Sequence, residues 1–269
     1  MYNSNVRVVY DLYGIIGSGG FADVHLARRR DTGSYFAVKM PRESWDPRAC
    51  QRFAQEARRQ IQAQGTNVVR IIDHNLDAPK PFIVQEYMPG GSLEERLEQD
   101  RKAGKLPWAV CCALKAMAEV AEALADVHTH GYAHRDVKPG NLLYDDATKR
   151  WKLNDFGCAA TVVAGQVVTK NYCGTPAYAA PEHATNPSPK VDVYALGVML
   201  YELLVGQRLP LHWQQQGILW PTQVHTCGVT VEVDNLIRRL AHANPLHRPT
   251  ALEAARMMYA ARTRYLNRV

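Results

Sequence analysis

Eight residues, His134-Arg-Asp-Val-Lys-Pro-Gly-Asn141, bring together a carboxylate (Asp136), two cations (Arg135 and Lys138) and a carboxamide (Asn141). Pro139 and Gly140 disfavour both a helix and a regular strand, so the stretch reads as a loop. Phosphoryl transfer uses this set of groups. It needs an acceptor or aligner for a hydroxyl proton, a cation beside the moving phosphoryl group, and an oxygen ligand for a hard metal. The plainer reading is a solvated turn between two elements, and residues elsewhere decide between the two.

Asp155 is the second candidate metal ligand. Leu142-Leu143-Tyr144 and Trp151-Lys152-Leu153 read as short strands around a polar turn, 145–150, and the hairpin presents Asn154-Asp155-Phe156-Gly157 at its exit. An Asp in a turn commonly caps its own backbone; the Phe-Gly that follows supports the metal role. Lys39 ends the apolar strand Tyr35-Phe36-Ala37-Val38-Lys39-Met40. A strand-end lysine is either an edge cation or a phosphate ligand. Upstream, Gly17-Ser18-Gly19-Gly20-Phe21-Ala22-Asp23-Val24 joins one strand to another. Glycines at i and i+2 let backbone amides approach an anion. Rossmann fingerprints and P-loops lead into a helix instead. A flap folded over phosphates is expected here, with a plain hairpin turn as the alternative.

These groups must be held by surrounding elements. Pro47–Gln64 reads as a helix with Phe53, Ala57 and Ile61 on one stripe. Glu56 borders that stripe, placed either to pair with Lys39 or to form a surface pair with Arg59 worth a few tenths of a kcal/mol. Strands over 68–74 and 81–87 complete a small antiparallel sheet. From Glu86 to Gly91 the chain turns from strands to helices, which marks a hinge. Ser92 with Glu95 forms a capping box. Pro107–His130 is a long Ala-rich helix ended by Gly131. Ala159–Tyr172 lacks periodicity and reads as a mobile loop. Lys190–Gly206 is an apolar helix with Asp192 in its first turn, where it serves either the helix dipole or a buried role under the 134–141 loop. Gly217–Gly228 is irregular. Helices over 232–241 and 251–265 close the chain.

The 269 residues can bury a full core. The hydrophobic and charged fractions, 46% and 22%, are those of an ordinary globular chain. No signal-like leader and no uncharged apolar run long enough to span a bilayer stands out. The six cysteines lack a Cys-x-x-Cys pair, so free thiols in a reducing cytoplasm are expected, with Cys111-Cys112 serving packing. The net charge of +6 is not concentrated in a basic, aromatic-interleaved tract, so nucleic-acid binding is not expected.

In order along the chain stand the 17–24 glycine turn, Ala37-Val38-Lys39, Glu56, the 134–141 loop, Asp155-Phe156-Gly157, Ala180-Pro181-Glu182, Asp192 and Arg248. In this the sequence resembles the eukaryotic-type serine/threonine protein kinases, over about residues 10–260. The resemblance implies an α+β, bilobal fold. An N-terminal lobe, 1–87, would hold a small antiparallel sheet and one main helix, and a larger, mostly helical C-terminal lobe would cover 88–269. It implies transfer of the γ-phosphoryl group of ATP to protein Ser/Thr hydroxyls, autophosphorylation, Mg2+ with Mn2+ as the alternative ion, and a cytoplasmic enzyme. Ile16, Gly17, Ser18, Gly19, Gly20, Phe21, Val24, Ala37, Lys39, Gln85 (the gatekeeper), Glu86 and Met88 would line the nucleotide site. Asp136, Lys138, Lys39, Glu56 and Thr175 would be catalytic, and Asn141 and Asp155 would hold the metal. Glu182 would pair with Arg248, and Asp192 would hold the 134–141 backbone. Lys138, two residues after Asp136, and Gly174-Thr175-Pro176 favour the serine/threonine branch. Ala22 departs from the third glycine of the family turn. Arg135 implies control by a phosphate on the loop, with Thr161 and Thr169 both candidates.

Overall fold

A computed structural model describes residues 9–19, 22–42, 47–169, 173–210 and 229–268. Chain contacts divide it into two compact units: Met1–Gln64 with Val69–Pro89, and Gly65–Val68 with Gly90–Val269. The expected signals over Gly217–Gly228, and at Gly20, Phe21 and Cys227, lie outside the described residues.

The first unit is an antiparallel five-stranded sheet: β1 (Tyr10–Ser18), β2 (Ala22–Arg29), β3 (Tyr35–Pro41), β4 (Ile71–Asn75) and β5 (Phe82–Glu86), in the order β1-β2-β3-β5-β4. Alternation sends successive side chains to opposite faces. Tyr10, Ala27, Val38, Met40, Phe82 and Val84 cluster on one face. On the other, Ile71 and Ile83 pack against Phe53, Ala54 and Ala57 of α1 (Pro47–Gln62). Register assigns the chemistry to this second face. Val24 pairs with Lys39, Ala37 with Gln85, and Lys39 with Ile83. Because α1 buries its Phe53–Ala57 stripe on that face, Glu56 is carried to the same side as Lys39.

The second unit is mostly helical: α2 (Leu93–Lys102), α3 (Val110–Thr129), α4 (Lys190–Val205), α5 (Val231–Leu240) and α6 (Ala251–Leu266). Ser92 and Glu95 form the expected capping box, and Thr250 with Glu253 forms a second one at the start of α6. Helix α4 is buried on every side from Val191 to Leu204, so its two acids must find partners inside the protein. Glu202 accepts from the Tyr178 hydroxyl at 2.7 Å and from Arg208 Nε at 3.3 Å. Burial, followed by the Glu202 charge and hydrogen bond, pushes the Tyr178 phenol far above its usual range.

Short strands complete this unit. β6 (Tyr132–Ala133) leads into the 134–141 loop, and β7 (Leu142–Asp145) pairs with β8 (Arg150–Leu153) as expected. The expected loop over 159–172 is corrected in part. β9 (Ala160–Val163) and β10 (Gln166–Val167) form a hairpin there, and β9 pairs with β6. Its turn residues, Ala164 and Gly165, both have positive φ, 49° and 78°. That is the geometry favoured for two-residue hairpin turns, and an alanine at its first position disguised it.

The cysteine expectation is also corrected. Cys158 and Cys173 are joined in a disulfide, with Cα atoms 5.5 Å apart, whereas Cys50, Cys111 and Cys112 form none. Folding brings the two ends of the 158–173 segment together, and no sequence spacing announces this. Cys112 is exposed and Cys111 only partly covered, so neither is core packing.

Candidate active site

In the first unit, Lys39 Nζ lies 2.6 Å from Glu56 Oε1, and both side chains are largely covered (17% and 16% exposed). The pair with Arg59 is therefore not the role of Glu56. Val24, Ala37 and Gln85 share this face by register, and Gln85 and Met88 are buried. The Glu86 N–H donates to the Arg70 carbonyl at 3.1 Å, and its carboxylate accepts from Arg70 N–H at 2.8 Å. Ile16, Gly17, Ser18 and Gly19 lie where β1 turns toward β2. Two residues unforeseen from the sequence tie this turn. Ser18 Oγ donates to Asp23 Oδ1 at 2.6 Å. Arg42 reaches Asp23 at 3.1 Å and the Gly19 carbonyl at 2.7 Å. The Ser18 hydrogen bond, ahead of the Arg42 contacts, holds the Asp23 carboxyl below its usual range.

In the second unit the 134–141 loop hangs from Asp192. This carboxylate is 1% exposed. Its Oδ1 accepts from Arg135 N–H at 2.7 Å, and its Oδ2 from His134 N–H at 2.9 Å. His128 Nε2, on α3, lies 2.8 Å from Oδ2. Burial alone would raise the Asp192 carboxyl, but the His128 contact and the Arg135 N–H outweigh it and hold the group low. The first-turn position thus serves the loop, with the dipole as a secondary benefit. Arg135 itself sits at φ 68°, unusual for a side chain of its size. The two bonds to Asp192 over-determine that conformation.

Four side chains then meet. Thr175 Oγ1 donates to Asp136 Oδ1 at 2.7 Å and accepts from Lys138 Nζ at 3.0 Å. Lys138 Nζ is 2.8 Å from Asp136 Oδ2. Asn141 Nδ2 donates to the Asp136 carbonyl at 2.8 Å and to Asp136 Oδ2 at 3.2 Å. With its nitrogen so used, Asn141 turns its amide oxygen the other way. Asn154 N–H donates to the Asn141 carbonyl at 2.9 Å, and the β7–β8 pairing of Leu142 with Leu153 fixes that register. Asp155 follows at φ 61°, a region Asp tolerates. Hence the hairpin sets Asp155 next to the residue bonded to Asn141. Both side chains carry hard oxygen donors of the kind that Mg2+ or a similar ion takes. Among the described residues no cluster of three or more His, Cys, Asp or Glu forms a self-sufficient metal cage.

Further along, Glu182 and Arg248 form a two-pronged pair, at 2.5 and 2.9 Å. The Arg248 side chain is wholly buried. Its remaining protons go to the carbonyls of His242, Ala243 and Lys190, and its guanidinium lies 4.8 Å from the Tyr194 ring centre. Of the two candidate threonines, Thr169 is the one on Arg135, with Nη1 to Oγ1 at 3.0 Å, and Thr161 lies in β9, paired with Tyr132.

The model for the protein kinase domain matches residues 10–260. The chain belongs to the protein kinase domain family. Among the proteins it is similar to, one is named as a serine/threonine-protein kinase and others as kinases. It is 33% identical to serine/threonine-protein kinase PknB of Mycobacterium leprae, over 89% of this chain and 40% of that protein. It is 32% identical to sperm motility kinase 2A of Mus musculus, over 93% of the chain and 49% of the relative. Maternal embryonic leucine zipper kinase of Danio rerio is 36% identical, over 73% and 29%. The kinase domain described here thus spans less than two thirds of the length of these relatives. The expected fold, an N-terminal antiparallel sheet followed by a largely helical part, is that of the kinase family. No helix among the described residues is long and apolar enough to cross a membrane.

Proposed function

We propose that this kinase domain transfers the γ-phosphoryl group of ATP to serine or threonine hydroxyls of proteins, including its own chain. The observation that carries the reading is the four-residue contact of Asp136, Lys138, Asn141 and Thr175. In it, a carboxylate is aimed by a hydroxyl and a carboxamide and flanked by an ammonium.

Each group has work to do. Asp136 accepts or aligns the proton of the attacking hydroxyl. Lys138 compensates charge that builds on the phosphoryl oxygens, and Thr175 holds both residues in register. Asn141 and Asp155 would hold a divalent ion, Mg2+ in preference to Mn2+, whose bound charge offsets that of the phosphates. Lys39, steadied by Glu56, binds the α- and β-phosphates. The turn that begins at Ile16, Gly17, Ser18 and Gly19 covers them. Val24 and Ala37 face the adenine, with Gln85 behind it. Since the Glu86 N–H already serves Arg70, its contact to adenine falls to the carbonyl, alongside the Met88 amide.

The two lobes of this reading are 1–87 and 88–269. Dependence on ATP favours the cytoplasm as the place of work. The test is incubation with γ-labelled ATP, Mg2+ and casein, with the Asp136→Asn chain alongside. Label on serine or threonine that disappears in the variant supports the reading. Label retained by the variant, or no label on any protein, refutes it.

A further inference from the structure

The disulfide joins two points that matter to the site just described. Cys158 follows Asp155-Phe156-Gly157 directly, and Cys173 directly precedes Gly174-Thr175. The segment between them carries Thr161 and Thr169, both exposed. One guanidinium addresses this segment twice. Arg135 Nη1 donates to the Thr169 hydroxyl at 3.0 Å and to the Cys158 carbonyl at 3.4 Å. The segment is pinned at further points. Val162 N–H donates to the Gly131 carbonyl at 2.8 Å, Val167 N–H to the Pro187 carbonyl at 2.9 Å, and His183 Nε2 lies 2.7 Å from the Cys173 carbonyl. The cross-link therefore closes the segment while Arg135 holds a hydroxyl.

We propose that Cys158 and Cys173 form a reversible thiol–disulfide site, and that the oxidised pair locks the segment with Thr169 unphosphorylated on Arg135. The proposal rests on the kinase reading above and adds its regulation. To be phosphorylated, Thr169 must leave Arg135 and be presented, in extended backbone, to another copy of the domain. Once modified, it must return with three further oxygens between itself and the guanidinium. Both movements displace backbone four residues from Cys173. Tethering Cys173 to Cys158 removes freedom from each, and reduction restores it.

The chemistry balances with a low-molecular-weight disulfide as oxidant. One thiolate of the pair attacks that disulfide, forms a mixed disulfide and releases one small thiol. The second thiolate attacks the protein sulfur of the mixed disulfide, closes the Cys158–Cys173 bond and releases a second small thiol. Two electrons pass from the cysteines to the reagent, and their two protons leave on the released thiols. A small dithiol reverses both exchanges. Cys158 and Cys173 are each partly exposed, which gives such reagents access.

The test makes the chain its own acceptor. The full chain carrying Asp136→Asn is prepared in oxidised and in reduced form. Each is incubated with ATP, Mg2+, casein and an active copy carrying Cys158→Ser and Cys173→Ser, which cannot respond to redox state. If the serine pair cripples that copy, the unsubstituted chain, reduced and desalted, replaces it. Mass spectrometry follows phosphate on Thr169. The expected result is phosphorylation at least tenfold faster on the reduced acceptor, with casein labelled equally in both mixtures. Equal rates on Thr169, phosphate absent from Thr169 in both forms, or failure of the small disulfide to close the Cys158–Cys173 bond would each overturn the proposal while leaving the kinase reading intact. Unlabelled casein overturns both.

Discussion

The Thr175 hydroxyl stands between Asp136 and Lys138, giving its proton to the carboxylate at 2.7 Å and receiving one from the ammonium at 3.0 Å. It is at once a clamp and a spacer. Thr175→Ala should leave the fold in place but lower kcat about tenfold or more, because both partners lose their alignment. Thr175→Ser keeps the hydroxyl and should recover most of the rate. Steady-state kinetics on a peptide, with melting curves of all three chains, provide the check; equal kcat for the alanine and threonine forms would refute the assignment.

Arg248 offers a prediction about stability. Its guanidinium is fully buried and doubly bonded to Glu182. Removing one partner of such a pair strands the other and costs roughly 3–5 kcal/mol. Glu182→Ala should therefore lower Tm by on the order of 10 °C. Thermal unfolding of the variant measures this, and a shift of a degree or less would show the pair to be dispensable.

A third prediction concerns acid. Asp145 lies 2.9 Å from Lys152 and accepts from Ala147 N–H and the Thr148 hydroxyl. Burial works against its ionisation, but the Lys152 and Thr148 bonds prevail and bring the carboxyl down to about 2. The folded value lies below the unfolded one, so the carboxylate stabilises the fold at every pH above about 4 and loses that contribution as pH falls toward 2. Asp145→Asn should cost about 2 kcal/mol at pH 7. The gap to the unsubstituted chain should begin to close below about pH 4. Urea midpoints at stepped pH report it; a gap that widens toward acid would contradict the sign.

Gly174 has φ 129°, and a Cβ there would come within 2.6 Å of the Arg135 carbonyl oxygen. Gly174→Ala meets both a backbone conformation foreign to L residues and a collision with main chain, a strain of roughly 1–3 kcal/mol. Its neighbour Thr175 should be displaced in consequence. The variant should lose stability and kcat together, unlike Thr175→Ala, and paired melting and rate measurements separate the two cases.

Much of the site could be read from the chain because its chemistry is written in short, contiguous strings. The 134–141 loop and the Asp155 turn are of this kind. Glu56 needed one further inference, from the Phe53–Ala57 stripe that shows which side of the helix is buried. What remained hidden depends on residues distant in sequence or ordinary in type. His128 meets Asp192 only because α3 packs against α4. Arg42 reaches back to the glycine turn across β2 and β3. Cys158 and Cys173 become partners only once the segment between them has folded back. The β9–β10 hairpin carries an alanine ahead of Gly165 at its turn, where asparagine or aspartate would announce it, and its short strands show little periodicity.

Asn141 gives two protons to Asp136, one to its backbone and one to its carboxylate. An aspartate in its place would have none to give. Two carboxylates would then face each other, and the aim of Asp136 would rest on Thr175 and Lys138. The exchange of a single nitrogen for oxygen would turn an attraction into a repulsion. The amide is thus a guardian of its neighbour's aim, quite apart from the cation we propose it to hold.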